Sequence, residues 1–164
     1  MKNITFAVAL FAVSITAAVA APAARADGAL EPAALGSWEG TGASMTVRGA
    51  EASTFAVSLV RKDAGNGRIR MDGTVRLEGG KTLAIWEESV GGAGGGFRIS
   101  SSLGNGGGRC FDNGMCQSYV ERADGHAFAT TIAKDGASGL RIVVTELEGG
   151  KAIRFVQQTL LRKP

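Results

Sequence analysis

The chain is poor in the residues that most site chemistry needs. Its 164 residues include 1 histidine, 2 cysteines and 1 tyrosine. A single histidine without a G-x-S-x-G motif argues against a hydrolase triad. Two cysteines spaced C-x5-C, with that lone histidine, are a poor match to zinc-ligand spacing, and they are not the C-x-x-C of a redox centre. No Lys-Ser/Thr follows the glycine runs, so they are not phosphate loops. Glu87-Glu88 is the only adjacent acidic pair. Neighbours on a strand point to opposite faces, so the two cannot flank one scissile bond, and a solvated edge or rim is expected of them. An enzyme is therefore not expected, and neither is a metal or cofactor.

Charge of one sign and long apolar runs are also scarce. Only residues 4–13, Ile-Thr-Phe-Ala-Val-Ala-Leu-Phe-Ala-Val, form an apolar stretch of note. Lys2 precedes it, and Ala24-Arg25-Ala26 supplies an A-x-A cleavage site, with Ala18-Val19-Ala20 as a second candidate. This is the pattern of a secretory signal peptide over 1–26, too short to span a bilayer. Cleavage would leave an N-terminal segment, 27–35, and one domain, 36–164. Without Lys2 and Arg25, the 18 basic residues fall to 16 against 15 acidic ones. That near-balance, with no basic patch, excludes nucleic acid as an expected partner. The expected location is periplasmic or secreted, with no membrane span after cleavage.

In an exported chain two cysteines read first as a disulfide. Cys110 and Cys116 flank Asp112-Asn113-Gly114, which suits a three-residue hairpin loop with glycine in the left-handed region. Phe111 should then pair with Met115, and Cys110 with Cys116.

What the chain has in quantity is glycine, 25 residues. Turn signals fall at 49–51, 63–67, 78–80, 91–96, 104–108, 112–114, 123–125, 135–138 and 148–150, separating ten candidate strands. The runs at 91–96 and 104–108 read as long hairpin connections. Several segments alternate with period two. Phe55, Val57 and Leu59 share a face, as do Ile69, Met71, Val75 and Leu77, and Phe97 with Ile99. No segment offers a long helical stripe. The fold class is all-β: an antiparallel up-and-down β-barrel of about 8–10 strands, with a two-sheet sandwich as the alternative. Residues 77–90 echo residues 147–160, from either two similar half-barrels or hairpins of like composition.

Within that frame, Gly36-Ser37-Trp38 resembles the Gly-x-Trp of the first strand in lipocalin and calycin barrels. The resemblance implies that Trp38 plugs one end and packs on a late arginine, Arg154 or Arg162. "LGSWEGTG" resembles the opening of nitrobindin-like barrels, in which an inward histidine ligates haem; His126, in parity with Phe128 and Ile132, would be that residue here. "GSWEGTGASMTV" is similar to the first strand of avidins. Small secreted protease inhibitors share the outline of signal peptide, disulfide and barrel. The lipocalin Thr-Asp-Tyr motif and most avidin pocket tryptophans are missing.

Trp38, Met45, Phe55, Ile69, Met71, Phe97, Tyr119, His126 and Phe128 are the candidate inward residues. They are either core alone or core around a pocket for a small hydrophobic ligand. The alternative partner is an exported protein, bound by residues 27–35 and the rim.

Overall fold

Glycine-rich turns break the chain into ten strands, and antiparallel pairing joins each strand to its neighbours in sequence. The computed structural model describes residues 35–49 and 52–164. The strands are β1 (Gly36–Thr46), β2 (Ala52–Gly65), β3 (Arg68–Leu77), β4 (Thr82–Gly91), β5 (Gly96–Ser101), β6 (Gly104–Cys110), β7 (Cys116–Glu121), β8 (His126–Asp135), β9 (Gly139–Glu148) and β10 (Lys151–Arg162). A single 3-10 turn, Ala93–Gly95, precedes β5. The first and last strands pair, from Trp38 with Arg162 to Thr46 with Arg154, so the sheet closes into a barrel without a free edge. The barrel is thus the outcome, and the sandwich is excluded. The expected signal peptide, 1–26, and all but the last residue of the 27–35 segment lie outside the described residues.

The cysteine hairpin forms as its turn chemistry dictates. Gly114 has φ of 77°, its N–H donates to the Phe111 carbonyl at 2.9 Å, and the Phe111 N–H donates to Met115 O at 2.8 Å. Asn113 Oδ1 accepts from the Met115 N–H at 3.0 Å. Only glycine takes that φ without steric cost. Cys110 and Cys116 then face each other, 4.0 Å apart at Cα, and are joined by a disulfide.

One glycine run is not a connection. Residues 104–110 form strand β6, and the turn before it is the tight pair Ser102-Leu103. Glycine is a weak strand former, but β6 is paired on both sides, with β5 and β7. An aromatic ring also covers the bare backbone. A side chain at Gly108 would stand 2.5 Å from the Phe97 ring, and one at Gly42 would stand 2.4 Å from Phe55. Glycine at these two positions lets the rings lie flat against the inner wall.

Alternation sorts the side chains. Inner faces carry two apolar clusters. One holds Ile69, Phe97, Ile99, Cys116 and Val120, with Leu35 packed against it. The other holds Trp38, Val57, Leu59, Leu140 and Leu160. Outside, Arg70 lies 4.7 Å over the Trp86 ring. The 77–90 and 147–160 echo does not repeat as structure. Leu77 pairs with Phe55 on the inner face, whereas Leu147 is the outward neighbour of inward Glu146. A shift of one residue inverts a strand's faces, so these are hairpins of like composition.

Candidate ligand-binding interior

Burial along the barrel axis differs from strand to strand. One end carries the cysteine hairpin, the β2–β3 and β8–β9 turns and both ends of the described chain. There the inward side chains are sealed: Trp38 is 3% exposed and Leu160 0%. Toward the other end exposure rises on β2 and β4, whereas Val120, Phe128 and Glu146 on β7, β8 and β9 stay buried. On β4 Ser89 is buried, Glu87 and Ile85 are half-buried, and Leu83 is exposed. On β2 Val57 and Leu59 are buried and Phe55 is half-buried. The inner wall is therefore closed by packing at the floor, and at the mouth it is open on the β2 and β4 side.

Trp38 belongs to the floor. Its strand partner is Arg162, not Arg154, and the Arg162 guanidinium passes 3.2 Å from the position a Gly36 side chain would take. Arg154 lies at the opposite end. Its Nη1 is 3.1 Å from Glu146 Oε2, while the other carboxylate oxygen, Oε1, is 3.0 Å from His126 Nδ1. Glu146 is buried, and β8, β9 and β10 bring the three groups to the mouth above Phe128. One carboxylate holding two donors fixes both side chains where they would otherwise be mobile.

Of the nine inward candidates, the structure places Trp38, Phe55, Ile69, Met71, Phe97, His126 and Phe128 on inner faces. Met45 and Tyr119 are corrections. Met45 is 50% exposed and Tyr119 45%. Along unbroken β1, a residue seven positions after inward Trp38 must face out. Along β7, Cys116 and Val120 face in, so Tyr119 between them cannot.

The reading of Glu87-Glu88 is half corrected. Glu88 is a solvated outer residue, 3.6 Å from Arg68. Glu87 faces in. Across Met71 from it, in one row of the sheet, lies Arg61 on β2. Arg61 is only 5% exposed, and its Nε has no hydrogen-bond partner. Burial pulls the guanidinium below its ordinary range, opposed by the charge of Glu87. Burial likewise pushes the Glu87 carboxyl above the usual carboxylate range, opposed by Arg61. Ser89, also buried, completes a polar patch within the apolar wall. Two shallow clefts share Thr41, Ala56 and Arg76, residues of the outer wall.

No protein-family model matches the chain, and neither does any curated protein sequence. Solved structures share its fold. The S-type phycobiliprotein lyase CPES from Guillardia theta aligns with a TM-score of 0.63 at 10% identity, over 80% of this chain and 89% of that one. Rv2717c from M. tuberculosis aligns with a TM-score of 0.63 at 15% identity, over 81% of this chain and 94% of that one. A DUF3598-family protein of unknown function from Nostoc punctiforme gives 0.60 at 12% identity, over 80% of this chain but 48% of its own length. These likenesses define the class: a small closed antiparallel β-barrel, consistent with a lipocalin-like calycin fold. The narrower nitrobindin resemblance finds no support in them. At such identities the fold is shared and function does not follow from it.

Proposed function

We propose that the chain is an exported, non-catalytic barrel that holds a small, mainly apolar molecule in its interior. The observation that carries this is the apolar inner wall of β2 and β4, buried at Leu59 and Val57 and progressively more open at Phe55, Ile85 and Leu83 toward one end. Ten strands enclose more width than side chains need fill. The inner positions of β6 are Gly104, Gly106, Gly108 and Cys110, and their neighbours across β7 and β8 include the small Ser118 and Thr130 as well as Val120 and Phe128. The Cys110–Cys116 disulfide fits an oxidising, periplasmic or extracellular setting, and no described helix is long and apolar enough to cross a membrane.

Native mass spectrometry of the protein purified from its own host tests the proposal. The expected result is a non-covalent adduct that is lost on unfolding. A bare polypeptide mass, together with no fluorescence gain from the neutral probe N-phenyl-1-naphthylamine, would refute it.

A further inference from the structure

Every strand pairs with both neighbours, but β4 overruns one of them. Its pairing with β3 starts at Thr82, opposite Arg76, whereas its pairing with β5 starts only at Glu87, opposite Ser101. The β5–β6 turn closes off one further residue. The Trp86 carbonyl accepts from the Ser102 N–H at 2.9 Å, and the Trp86 N–H donates to Ser102 Oγ at 3.2 Å. Backbone groups that face one side of an antiparallel strand recur every second residue. The N–H and C=O groups of Ala84 and Thr82 therefore face the same side as those of Trp86, beyond the end of β5. Lys81 bonds the other way, its carbonyl accepting from the Leu77 N–H at 2.8 Å. A second overrun at this end is capped: β2 extends past β3, and its Thr54 N–H donates to Glu78 Oε1 at 3.3 Å. Among the described residues nothing caps Ala84 or Thr82, and both are exposed. Residues 82–86, Thr-Leu-Ala-Ile-Trp, also carry no charge and no proline, the usual guards of an exposed edge.

We propose that this edge is an interface between two copies of the chain, which pair β4 against β4, antiparallel, about a two-fold axis at Leu83. The proposal goes beyond the carrier reading and does not depend on it. In this register Thr82 of one copy lies opposite Ala84 of the other, and the reverse. Each is a hydrogen-bonded pair, so the four open groups of one copy meet the four of the other. An axis at Ala84 would call on Trp86, already held by Ser102, and an axis at Thr82 would call on Gly80, whose N–H is bonded to the Leu77 carbonyl at 3.1 Å. The side chains agree with the Leu83 register. Leu83 is 40% exposed, and it meets its own copy at the close spacing of a non-hydrogen-bonded pair. Lys81 lies opposite Ile85 and can lay its apolar stem along it. Gly80 falls opposite Trp86. Its φ is 83° and a side chain there would meet nothing within 4 Å, so the chain has room to turn away from Ser102 and Leu103.

So short an edge buries less than the roughly 1,200 Å² of a stable interface, and a dissociation constant on the order of 0.1 mM is expected. The test is a dilution series of the full protein spanning that constant, followed by sedimentation velocity and by amide resonances. The Thr82 and Ala84 amides should shift with the midpoint of the monomer–dimer transition, while that of capped Thr54 stays in place. Leu83→Lys sets like charges across the axis, and Ala84→Pro removes an edge donor without touching a bond to β3. Each should weaken association by about 10-fold or more. A protein that stays monomeric throughout the series overturns the proposal. So does a dimer whose Thr82 and Ala84 amides do not move, or one that both variants still form with wild-type affinity.

Discussion

At the end that carries the cysteine hairpin, Trp38, Ile69, Phe97 and Cys116 occupy the inner positions. At the opposite end, the inner positions carry His126, Glu146 and Arg154 on one side and Phe55 and Leu83 on the other. The backbone is alike at both ends, with short glycine turns between paired strands. Side-chain volume therefore closes the floor, and at the mouth a charge network of His126, Glu146 and Arg154 lies beside buried Phe128. The floor should carry the stability and the mouth should carry access.

The sharpest break of that contrast is Trp38→Ala. It removes the largest floor residue and should cost about 3–5 kcal/mol in urea unfolding. A loss under about 1 kcal/mol would mean that the floor is not sealed by packing. Next in size, Cys110→Ser with Cys116→Ser should leave a folded barrel destabilised by about 1–3 kcal/mol, because the closed loop is short. Gly114→Val should be comparably harmful with both thiols intact, since a β-branched residue resists the positive φ. Thermal melting compares the two, and thiol titration of native protein should find no reactive thiol. If the serine pair unfolds outright, the disulfide and not the turn sets the hairpin.

At the mouth, Glu146→Gln removes a charge that holds both His126 and Arg154. About 1–2 kcal/mol should be lost, below the floor substitutions, because Arg154 is half-exposed and solvent screens its share. The smallest effect is one of slope. Glu87 has a raised pKa in the folded state, so between its unfolded value near 4.5 and its folded value the native chain holds a proton that the unfolded chain has lost. Stability contributed there is full below the unfolded value and declines as pH rises through the folded one. Glu87→Gln should flatten that decline, as read from melting temperatures across the weakly acidic range. An unchanged slope would place Glu87 in solvent.

Much of this was legible in the sequence. Alternation at Phe55, Val57, Leu59 and at Ile69, Met71 found the inner faces of β2 and β3, and Asp-Asn-Gly found the cysteine hairpin. The misses come from letting residue type outrank parity. Met45 and Tyr119 were drawn inward because they are apolar or aromatic, although neighbours on their own strands already fixed the opposite face. Arg61 and Glu87 were missed for the converse reason. Continuing Phe55, Val57, Leu59 by two positions lands on Arg61, but a charge at such a position reads as surface. Strand β6 was hidden because Gly-Asn-Gly-Gly-Gly has no alternation of its own, and its partners supply the order. Glu146 could not be joined to His126 and Arg154 from sequence, since that meeting depends on the register across β8, β9 and β10.

The seam between β1 and β10 has a kinetic consequence. Residue 38 pairs with residue 162, so this ladder joins the two most distant stretches of the domain. Closing so long a loop is entropically costly, and contacts of such separation slow folding. Until it closes, β1 and β10 both present unpaired edges that can recruit a neighbouring chain. Dilution should therefore favour recovery from denaturant, and amide hydrogens along the seam should gain protection later than those of the β2–β3 hairpin.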